Sequence, residues 1–144
     1  MIEVRVLPPD EVELVDRHLP LHRLDQEGGE YLVAWEDDTP VGHAHLDWRT
    51  DPPEVQDVYV PESHRRRGIA SRLSVAAEER VRARGFDRIA LDVDVGAAGP
   101  RALYEKLGYR EKGTPPRHVK GTIMLRGEPF SYDAVLLDMV KELS

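Results

Sequence analysis

The sequence predicts an α+β fold organised around a mixed sheet, and three observations lead to that prediction. Short apolar runs separated by turn residues recur along most of the chain and are typical of strands. Residues 69–84 instead carry apolar side chains at every fourth position, the pattern of an amphipathic helix. Because this helix lies between the apolar runs 54–60 and 89–93, a crossover joins these two strands, which are expected to be parallel neighbours.

The composition favours one folded domain over residues 1–144 and excludes several kinds of protein. The chain is 40% hydrophobic and 33% charged, as ordinary globular proteins are. Its apolar runs are too short to cross a membrane, and charges stand where a signal peptide needs an apolar block. We therefore expect a cytoplasmic protein. Because cysteine is absent, disulfide scaffolds, thiolate metal sites and cysteine nucleophiles are excluded.

The first third of the chain is predicted to contain a strand, a helix and a hairpin. Residues 2–6 alternate between apolar and charged side chains, which indicates a strand. A Pro-Pro-Asp sequence then breaks the chain and caps a helix over about 11–19. Residues 18–30 show no clean period and are expected to form a loop or short broken helices. The apolar runs 31–36 and 41–48 are joined by Asp-Asp-Thr-Pro, which predicts a hairpin.

The middle of the chain is predicted to form the parallel unit. A turn at 49–53 leads into the strand at 54–60. The helix at 69–84 follows, and Gly85 stands where a left-handed residue commonly ends a helix. The strand at 89–93 completes the unit.

The last third is predicted to add one helix and two strands. A proline suits the first turn of a short helix over 100–107, and a strand begins with residues 109–111. Residues 113–131 have no assignment, and 132–140 have the apolar content of a last strand. The pattern therefore predicts one α+β domain with a mixed sheet.

A basic loop between the strand at 54–60 and the helix at 69–84 is the strongest functional signal in the chain. Arg65, Arg66 and Arg67 precede Gly68, which permits a tight turn and a close approach to the backbone. Backbone N–H groups at a helix start form an anion site suited to a phosphate or pyrophosphate. The net charge is −7, so one anionic ligand is the better interpretation, and nucleic acid binding is not expected.

Two motifs in these segments resemble those of the GNAT family of N-acetyltransferases. Arg65, Gly68 and Ala70 match its phosphate-loop signature, which is Gln or Arg, two residues, Gly, one residue, and Gly or Ala. Residues 103–109, Leu-Tyr-Glu-Lys-Leu-Gly-Tyr, resemble its Leu-Tyr-x-x-x-Gly-aromatic element, and residues 132–137 resemble its last strand. The resemblance covers nearly the whole chain and implies a GNAT-like mixed, largely antiparallel sheet of six to seven strands with flanking helices and one parallel strand–helix–strand unit.

The resemblance implies acetyl-coenzyme A as the acyl donor and places its site. Backbone N–H groups of residues 66–70 would hold the pyrophosphate, and the edge of the strand 54–60 would pair with the pantetheine arm. A backbone N–H near Val58 or Val60 would polarise the thioester carbonyl. The implied coenzyme-binding residues are Val58, Tyr59, Val60, Arg65, Arg66, Arg67, Gly68, Ile69 and Ala70.

The resemblance also implies two catalytic groups. An amine must lose a proton before it attacks, and Glu54 is the favoured base because the family often carries a carboxylate there. Glu54 is also expected to share a strand face with Val58 and Val60. Tyr104 matches the family's usual general acid and would protonate the departing thiolate. Three other carboxylates remain alternatives for the base: Asp57, Asp92 and Asp94.

The implied function is transfer of an acetyl group to a primary amine by direct attack in a ternary complex. The acceptor is a small-molecule or peptide amine, and a longer acyl donor remains open. The alternative is a non-catalytic acyl-coenzyme A binding module of the same fold. His43 and His45 lie two residues apart, but no third ligand has matching spacing, so no metal is expected. Because the family frequently pairs through its C-terminal strands, the resemblance also implies a homodimer through residues 132–140, a candidate unprotected edge.

Overall fold

The computed structural model describes residues 1–24 and 26–143, and within these residues eight strands form one sheet flanked by three α-helices. The strands are β1 (Ile2–Val6), β2 (Gly29–Glu36), β3 (Thr39–Asp47), β4 (Glu54–Tyr59), β5 (Arg88–Asp94), β6 (Arg110–Glu111), β7 (Arg117–Leu125) and β8 (Glu128–Glu142). The helices are α1 (Val12–His18), α2 (Ile69–Ala83) and α3 (Ala98–Lys106), and short 3-10 turns span Pro9–Glu11 and Glu62–His64.

The sheet is mixed and largely antiparallel, which confirms the predicted fold class. Its strand order is β1-β2-β3-β4-β5-β8-β6, and β7 pairs with β8 off this path. Strands β4 and β5 are parallel, with α2 as their crossover, and the other pairs are antiparallel. The count exceeds the predicted six to seven because β7 lies in the segment left without an assignment.

The two faces of β2 separate two apolar cores, and the side-chain alternation of a strand explains why. Leu32 and Ala34 pack with the buried face of α2. Tyr31, Val33 and Trp35 pack on the other face with residues of α1 and the loop after it. The buried residues of α2 fall at the predicted spacing: Ile69, Leu73, Ala77 and Val81.

Strands β4 and β5 separate soon after they meet, and this opening positions the site. Glu54 pairs with Ala90, and the carbonyl of Pro53 accepts a hydrogen bond of 2.9 Å from the Ala90 N–H. No further register pair joins the two strands in the described residues. The edge of β4 that faces β5 is therefore left without a strand partner beyond Glu54.

A β-bulge in β4 changes which side chains face the core. His43 of β3 pairs with Tyr59 and His45 pairs with Gln56, so β4 carries one extra residue in this interval. Asp57, within it, has a positive φ of 52°. Val55 is buried in the same core against which Val58 and Val60 pack. The expectation that Glu54 shares a face with Val58 and Val60 is therefore wrong, since the bulge shifts the alternation by one residue.

Strand β7 and the first part of β8 form a long two-stranded ribbon, residues 117–136, that leaves the sheet. Its turn contains Arg126 and Gly127, both with positive φ, as two-residue hairpin turns often require. At the turn, two nitrogens of the Arg126 guanidinium lie 2.6 and 2.8 Å from the carboxylate oxygens of Asp16 in α1. The ribbon tip is therefore joined to the helix that packs on β2.

The predicted unprotected edge at 132–140 is only partly present. Residues 136–142 of β8 pair with β5, and residues 139–140 also pair with β6. Residues 128–136 pair with β7 on one side, so within the described length of β8 it is residues 128–134 that keep a second edge without a strand partner. None of the described helices has the length and apolar content that a membrane span requires.

Candidate functional site

Two clefts meet where β4 and β5 separate. The loop cleft, of about 660 Å³, is lined by the end of β4, the basic loop, the start of α2 and one face of α3. The ribbon cleft, of about 650 Å³, is lined by β4, β5 and the β7–β8 ribbon. Val58, Pro100 and Tyr104 line both clefts. A ligand in one cleft can therefore reach a ligand in the other at this junction.

The loop cleft presents the uncapped start of α2. Gly68 has a φ of 78° and precedes the helix, and no side chain caps the helix start. The first helical hydrogen bond runs from the N–H of Arg72 to the carbonyl of Gly68, over 3.1 Å. The preceding N–H groups of the first turn have no intrahelical acceptor, and they combine with the helix dipole to favour an anion.

Gly68 borders open space in this cleft. A Cβ built on it would meet no atom within 4 Å. Arg66 also has a positive φ of 63°. Successive residues that alternate between left-handed and other conformations turn their N–H groups towards one point, which is the geometry of a backbone anion nest.

The three arginines of the loop do not act alike. Arg65 and Arg66 line the loop cleft, and the Nε of Arg65 donates a hydrogen bond of 2.9 Å to the carbonyl of Val60. Arg67 instead pairs with Glu36 at the end of β2 and does not line the cleft. The structure therefore brings two of the predicted guanidinium groups to the cleft and directs the third elsewhere.

The other predicted coenzyme-binding residues all line the loop cleft. They are Val58, Tyr59, Val60, Gly68, Ile69 and Ala70. Val58 and Tyr59 lie at the unpaired edge of β4 and Val60 directly follows them, so an extended ligand can add here as an extra strand.

Glu54 lies in the ribbon cleft with an altered protonation equilibrium. Burial, with added repulsion from Asp92, Asp47 and Asp138, raises its pKa to about 7. No hydrogen bond or ion pair to its carboxylate is found among the described residues. An unpaired carboxylate with a near-neutral pKa can gain or lose a proton at physiological pH.

The three alternative carboxylates line the same cleft but hold partners. Asp57 accepts hydrogen bonds from the Tyr31 hydroxyl and from the backbone N–H of His22, over 3.2 Å for the latter. Asp94 accepts one of 2.8 Å from the backbone N–H of Gly96. Burial raises the pKa of Asp92, and the Arg117 guanidinium, 3.6 Å away, opposes that rise. Among the described residues, Glu54 therefore differs from the three alternative carboxylates in having no hydrogen-bond or ion-pair partner.

Tyr104 stands at the junction of the two clefts. It lies on α3, and its ring packs edge-to-face on Tyr109 with centroids 5.7 Å apart. Burial raises the pKa of the Tyr104 phenol. No partner for its hydroxyl is found in the described part of the chain, so a ligand can be its hydrogen-bond acceptor.

The two histidines of β3 are structural. Both are buried, and the Nε2 of His43 donates a hydrogen bond of 2.6 Å to the carbonyl of Pro20. His45 accepts one of 3.1 Å from the amide of Gln56, and burial lowers the pKa of His45 to about 4. Across residues 1–24 and 26–143, no group of three or more potential metal ligands is found.

The ribbon wall of the second cleft was not predicted from the sequence. Residues 117–125 do carry a signal, because Val119, Ile123 and Leu125 fall at alternate positions of the strand. Gly121 and the interleaved polar residues weakened it. The six ribbon residues that line the cleft are Val119, Ile123, Phe130, Tyr132, Ala134 and Leu136.

Comparison with known proteins is consistent with this geometry. The family model described as "Acetyltransferase (GNAT) family" matches residues 4–109. No curated protein matches the chain significantly. An IAA acetyltransferase from Bacillus cereus is 19% identical, with a TM-score of 0.74 over 99% of this chain and 100% of the other.

Two further structures hold the coenzyme. A GNAT family acetyltransferase from Elizabethkingia anophelis with acetyl-CoA bound is 17% identical, with a TM-score of 0.74 over 99% of this chain and 98% of the other. A Bacillus subtilis acetyltransferase in complex with CoA is 22% identical, with a TM-score of 0.72 over 100% of both chains. At these identities the likeness shows a shared fold.

Proposed function

The chain belongs to the acetyltransferase (GNAT) family, and we propose that it moves an acetyl group from acetyl-coenzyme A to a primary amine by direct attack in a ternary complex. One observation carries the proposal. The loop cleft and the ribbon cleft meet at Val58, Pro100 and Tyr104, so donor and acceptor can be held together without a covalent enzyme intermediate.

The donor would lie in the loop cleft. Its pyrophosphate would bind the backbone N–H groups at residues 66–70, with Arg65 and Arg66 adding exposed positive charge that water partly screens. Its pantetheine arm would pair with the free edge of β4, and the thioester would then lie near Val58. A backbone N–H at this position would stabilise the oxyanion of the tetrahedral intermediate.

Glu54 would accept the proton that the attacking amine must lose. An alkylammonium has a pKa of about 10.4 and an ordinary glutamate about 4.3, a gap of about 6 units. Because the pKa of Glu54 is about 7, the gap narrows to about 3 units. The nitrogen lone pair then attacks the thioester carbon while the proton passes to Glu54, directly or through a water molecule.

Tyr104 would protonate the leaving group. When the carbon–sulfur bond breaks, the electron pair remains on sulfur, and the phenol transfers its proton to that thiolate. Burial raises the pKa of Tyr104, which by itself disfavours the transfer. A thiolate that departs into the same junction loses hydration as well, so its pKa rises in the same direction and the two remain comparable.

The test is amine-dependent release of free thiol. Acetyl-coenzyme A is incubated with the protein and a panel of primary amines, thiol is titrated, and the acetylated amine is measured by mass spectrometry. We expect equal amounts of both products and initial-rate lines that intersect, as direct transfer requires, rather than the parallel lines of a covalent intermediate.

Two control arms complete this experiment. Butyryl-coenzyme A in place of acetyl-coenzyme A shows whether a longer acyl chain is accepted. Calorimetric binding of acetyl-coenzyme A without thiol release for any amine would contradict the proposal and support the non-catalytic acyl-coenzyme A binding module.

A further inference from the structure

We propose that the acceptor is a monoamine with an uncharged, apolar body, which lies along the inner face of the β7–β8 ribbon while its amino group reaches Glu54. This inference rests on the proposed function and narrows its acceptor from primary amines in general to one chemical class. The inner face is defined by the six ribbon residues that line the ribbon cleft.

The two faces of the ribbon differ in chemistry. All six inner-face residues are apolar or aromatic: Val119, Ile123, Phe130, Tyr132, Ala134 and Leu136. The outer face carries polar pairs, including His118 with Asp133 at 2.5 Å and Thr122 with Ser131 at 3.0 Å. Strand pairing alone would not require this asymmetry. When an apolar ligand covers apolar surface in an open cleft, that surface is removed from water, which favours binding.

The inner face extends in one direction from the carboxylates. Leu136 pairs with Asp94 of β5, so that end of the ribbon adjoins the acidic part of the cleft. At a rise of about 3.3 Å per residue, Ala134 lies about 7 Å from Leu136 and Tyr132 about 13 Å. The face therefore has room for a small body near the amino group and for a ring further out.

Gly121 shapes the outer part of this face. It pairs with Tyr132, and a Cβ built on Gly121 would lie 2.9 Å from the Tyr132 Oη. The Tyr132 ring can thus lie across the backbone of β7 because no side chain occupies that position. The result is an aromatic surface on the cleft side, suited to stacking with a planar or alkyl group.

The charges of the cleft favour one ammonium at one end. Four carboxylates, Glu54, Asp57, Asp92 and Asp94, line the end near β4 and β5 against one cation, Arg23, so this end attracts a positive charge. None of the six inner-face residues is charged. A second ammonium along the ribbon would lose hydration without gaining a carboxylate, which disfavours diamines and polyamines.

A tie between the ribbon tip and α1 holds the inner face in place beside the carboxylates. Arg126 and Asp16 bind through two nitrogen–oxygen contacts of 2.6 and 2.8 Å, and these two residues lie 110 positions apart in the sequence. The ribbon is therefore held at its tip by α1 and at its base by β5, which pairs with residues 136–142 of β8.

The first experiment uses a matched pair of amines. Hexylamine and 1,6-diaminohexane have the same length and reacting group and differ by one terminal ammonium. We expect kcat/KM for hexylamine and for 4-phenylbutylamine to exceed that for 1,6-diaminohexane by about 10-fold or more, because the second ammonium would lose hydration on an apolar face that offers it no carboxylate. Spermidine and a peptide with a free N-terminus are the other two probes.

The second experiment places one charge on either face of the ribbon. Val119→Glu adds a carboxylate to the inner face, and we expect it to shift the hexylamine to diaminohexane ratio of kcat/KM by about 10-fold towards the diamine. Thr122→Glu adds the same charge to the outer face and should leave the ratio unchanged. Val119→Gln tests polarity without charge and should weaken hexylamine without favouring the diamine. A ratio cancels any common effect on Glu54.

The outcomes separate this inference from the proposed function. If diaminohexane, spermidine or the peptide matches hexylamine while thiol release still depends on amine, the acceptor class is wrong and the acetyl transfer stands. The same follows if Val119→Glu and Thr122→Glu change the ratio equally. If no amine in either experiment releases thiol, the proposed function fails, and this inference fails with it.

Discussion

The loop cleft and the ribbon cleft adjoin each other but are built in different ways. The loop cleft is formed by one continuous stretch, from the end of β4 to the start of α2, with α3 as its opposite wall. In the proposed function, the groups of this cleft that bind the donor are largely backbone amides. The ribbon cleft is formed by side chains from β4, β5, β7 and β8, which are far apart in the sequence. A ligand shared by many proteins suits the first arrangement, and a ligand particular to one protein suits the second.

This difference has a physical basis. Backbone N–H groups are present in every residue, so a short pattern that sets φ and starts a helix is enough to build an anion site. Recognition by side chains depends on which strands pair and in which register. A substitution in one ribbon residue changes the lining of the ribbon cleft but leaves the sheet intact. Acceptor specificity can therefore differ between proteins that share the same fold.

The largest expected effect tests the junction of the two clefts. Tyr104→Phe keeps the ring and removes the transferable proton, so turnover should fall by about 10²–10⁴-fold while acetyl-coenzyme A affinity changes little. Tyr109→Phe is the matched control, because this buried ring is the edge-to-face neighbour of Tyr104 but lines neither cleft. Steady-state kinetics and calorimetry measure both variants. Equal losses in the two variants would make Tyr104 a packing residue.

A second prediction tests the backbone character of the loop cleft. In Gly68→Val the new side chain enters open cleft space, so acetyl-coenzyme A affinity should fall by at least about 10-fold through lost amide contacts. Gly85→Val is the control, since Gly85 also has a positive φ and open space around it but lies beyond the other end of α2. Both variants should lose about 1–2 kcal/mol of folding stability from the strained backbone. Calorimetric affinities that differ little between the two would remove Gly68 from the site.

The third prediction concerns proton binding in the ribbon cleft. A folded-state pKa of about 7 for Glu54, raised from 4.5, means that its stabilising contribution is complete below pH 4.5 and is lost as the pH rises through 7. Glu54→Gln removes this dependence and should unfold with a free energy about 1 kcal/mol higher than the parent at pH 8, after allowance for solvent screening. Urea denaturation of both proteins at pH 5 and pH 8 measures this difference in the free energy of unfolding.

The same ionisation of Glu54 should appear in the pH dependence of the reaction rate. In the parent protein kcat/KM should rise with pH through about 7 as Glu54 ionises, and Glu54→Gln should lose that limb. Glu79→Gln, a change at an exposed carboxylate of α2, is the control for both measurements. A parental limb that persists in Glu54→Gln would assign the base to another carboxylate of the cleft.

The smallest expected effect concerns the outer edge of the ribbon. Residues 128–134 of β8 keep one unpaired edge, and Met124 and Phe130 are 61% and 50% exposed nearby. We expect a second copy of the chain to pair at this edge in a homodimer. Solution scattering over micromolar concentrations gives the mass. A monomer throughout that range would contradict it.

The helices and the main strands could be predicted because their signals are local. The spacing of Ile69, Leu73, Ala77 and Val81 places α2 to within one residue of its observed end. The hairpin of β2 and β3 follows from two apolar runs and a turn sequence. The bulge at Asp57 could not be predicted in this way, because the pairing partner in β3 decides it, and it shifted the expected face of Glu54.

The sequence by itself determined the family, the fold class and the basic loop at the start of α2, since periodicity, turn residues and short motifs act over a few positions. Tertiary structure alone decided that Arg67 pairs with Glu36, that β4 and β5 separate beyond Glu54, and that Arg126 reaches Asp16. It also decided the near-neutral pKa of Glu54, because burial and neighbouring charges set that value. These features depend on contacts between residues from distant segments of the chain, and a local sequence pattern does not specify which distant residues come into contact.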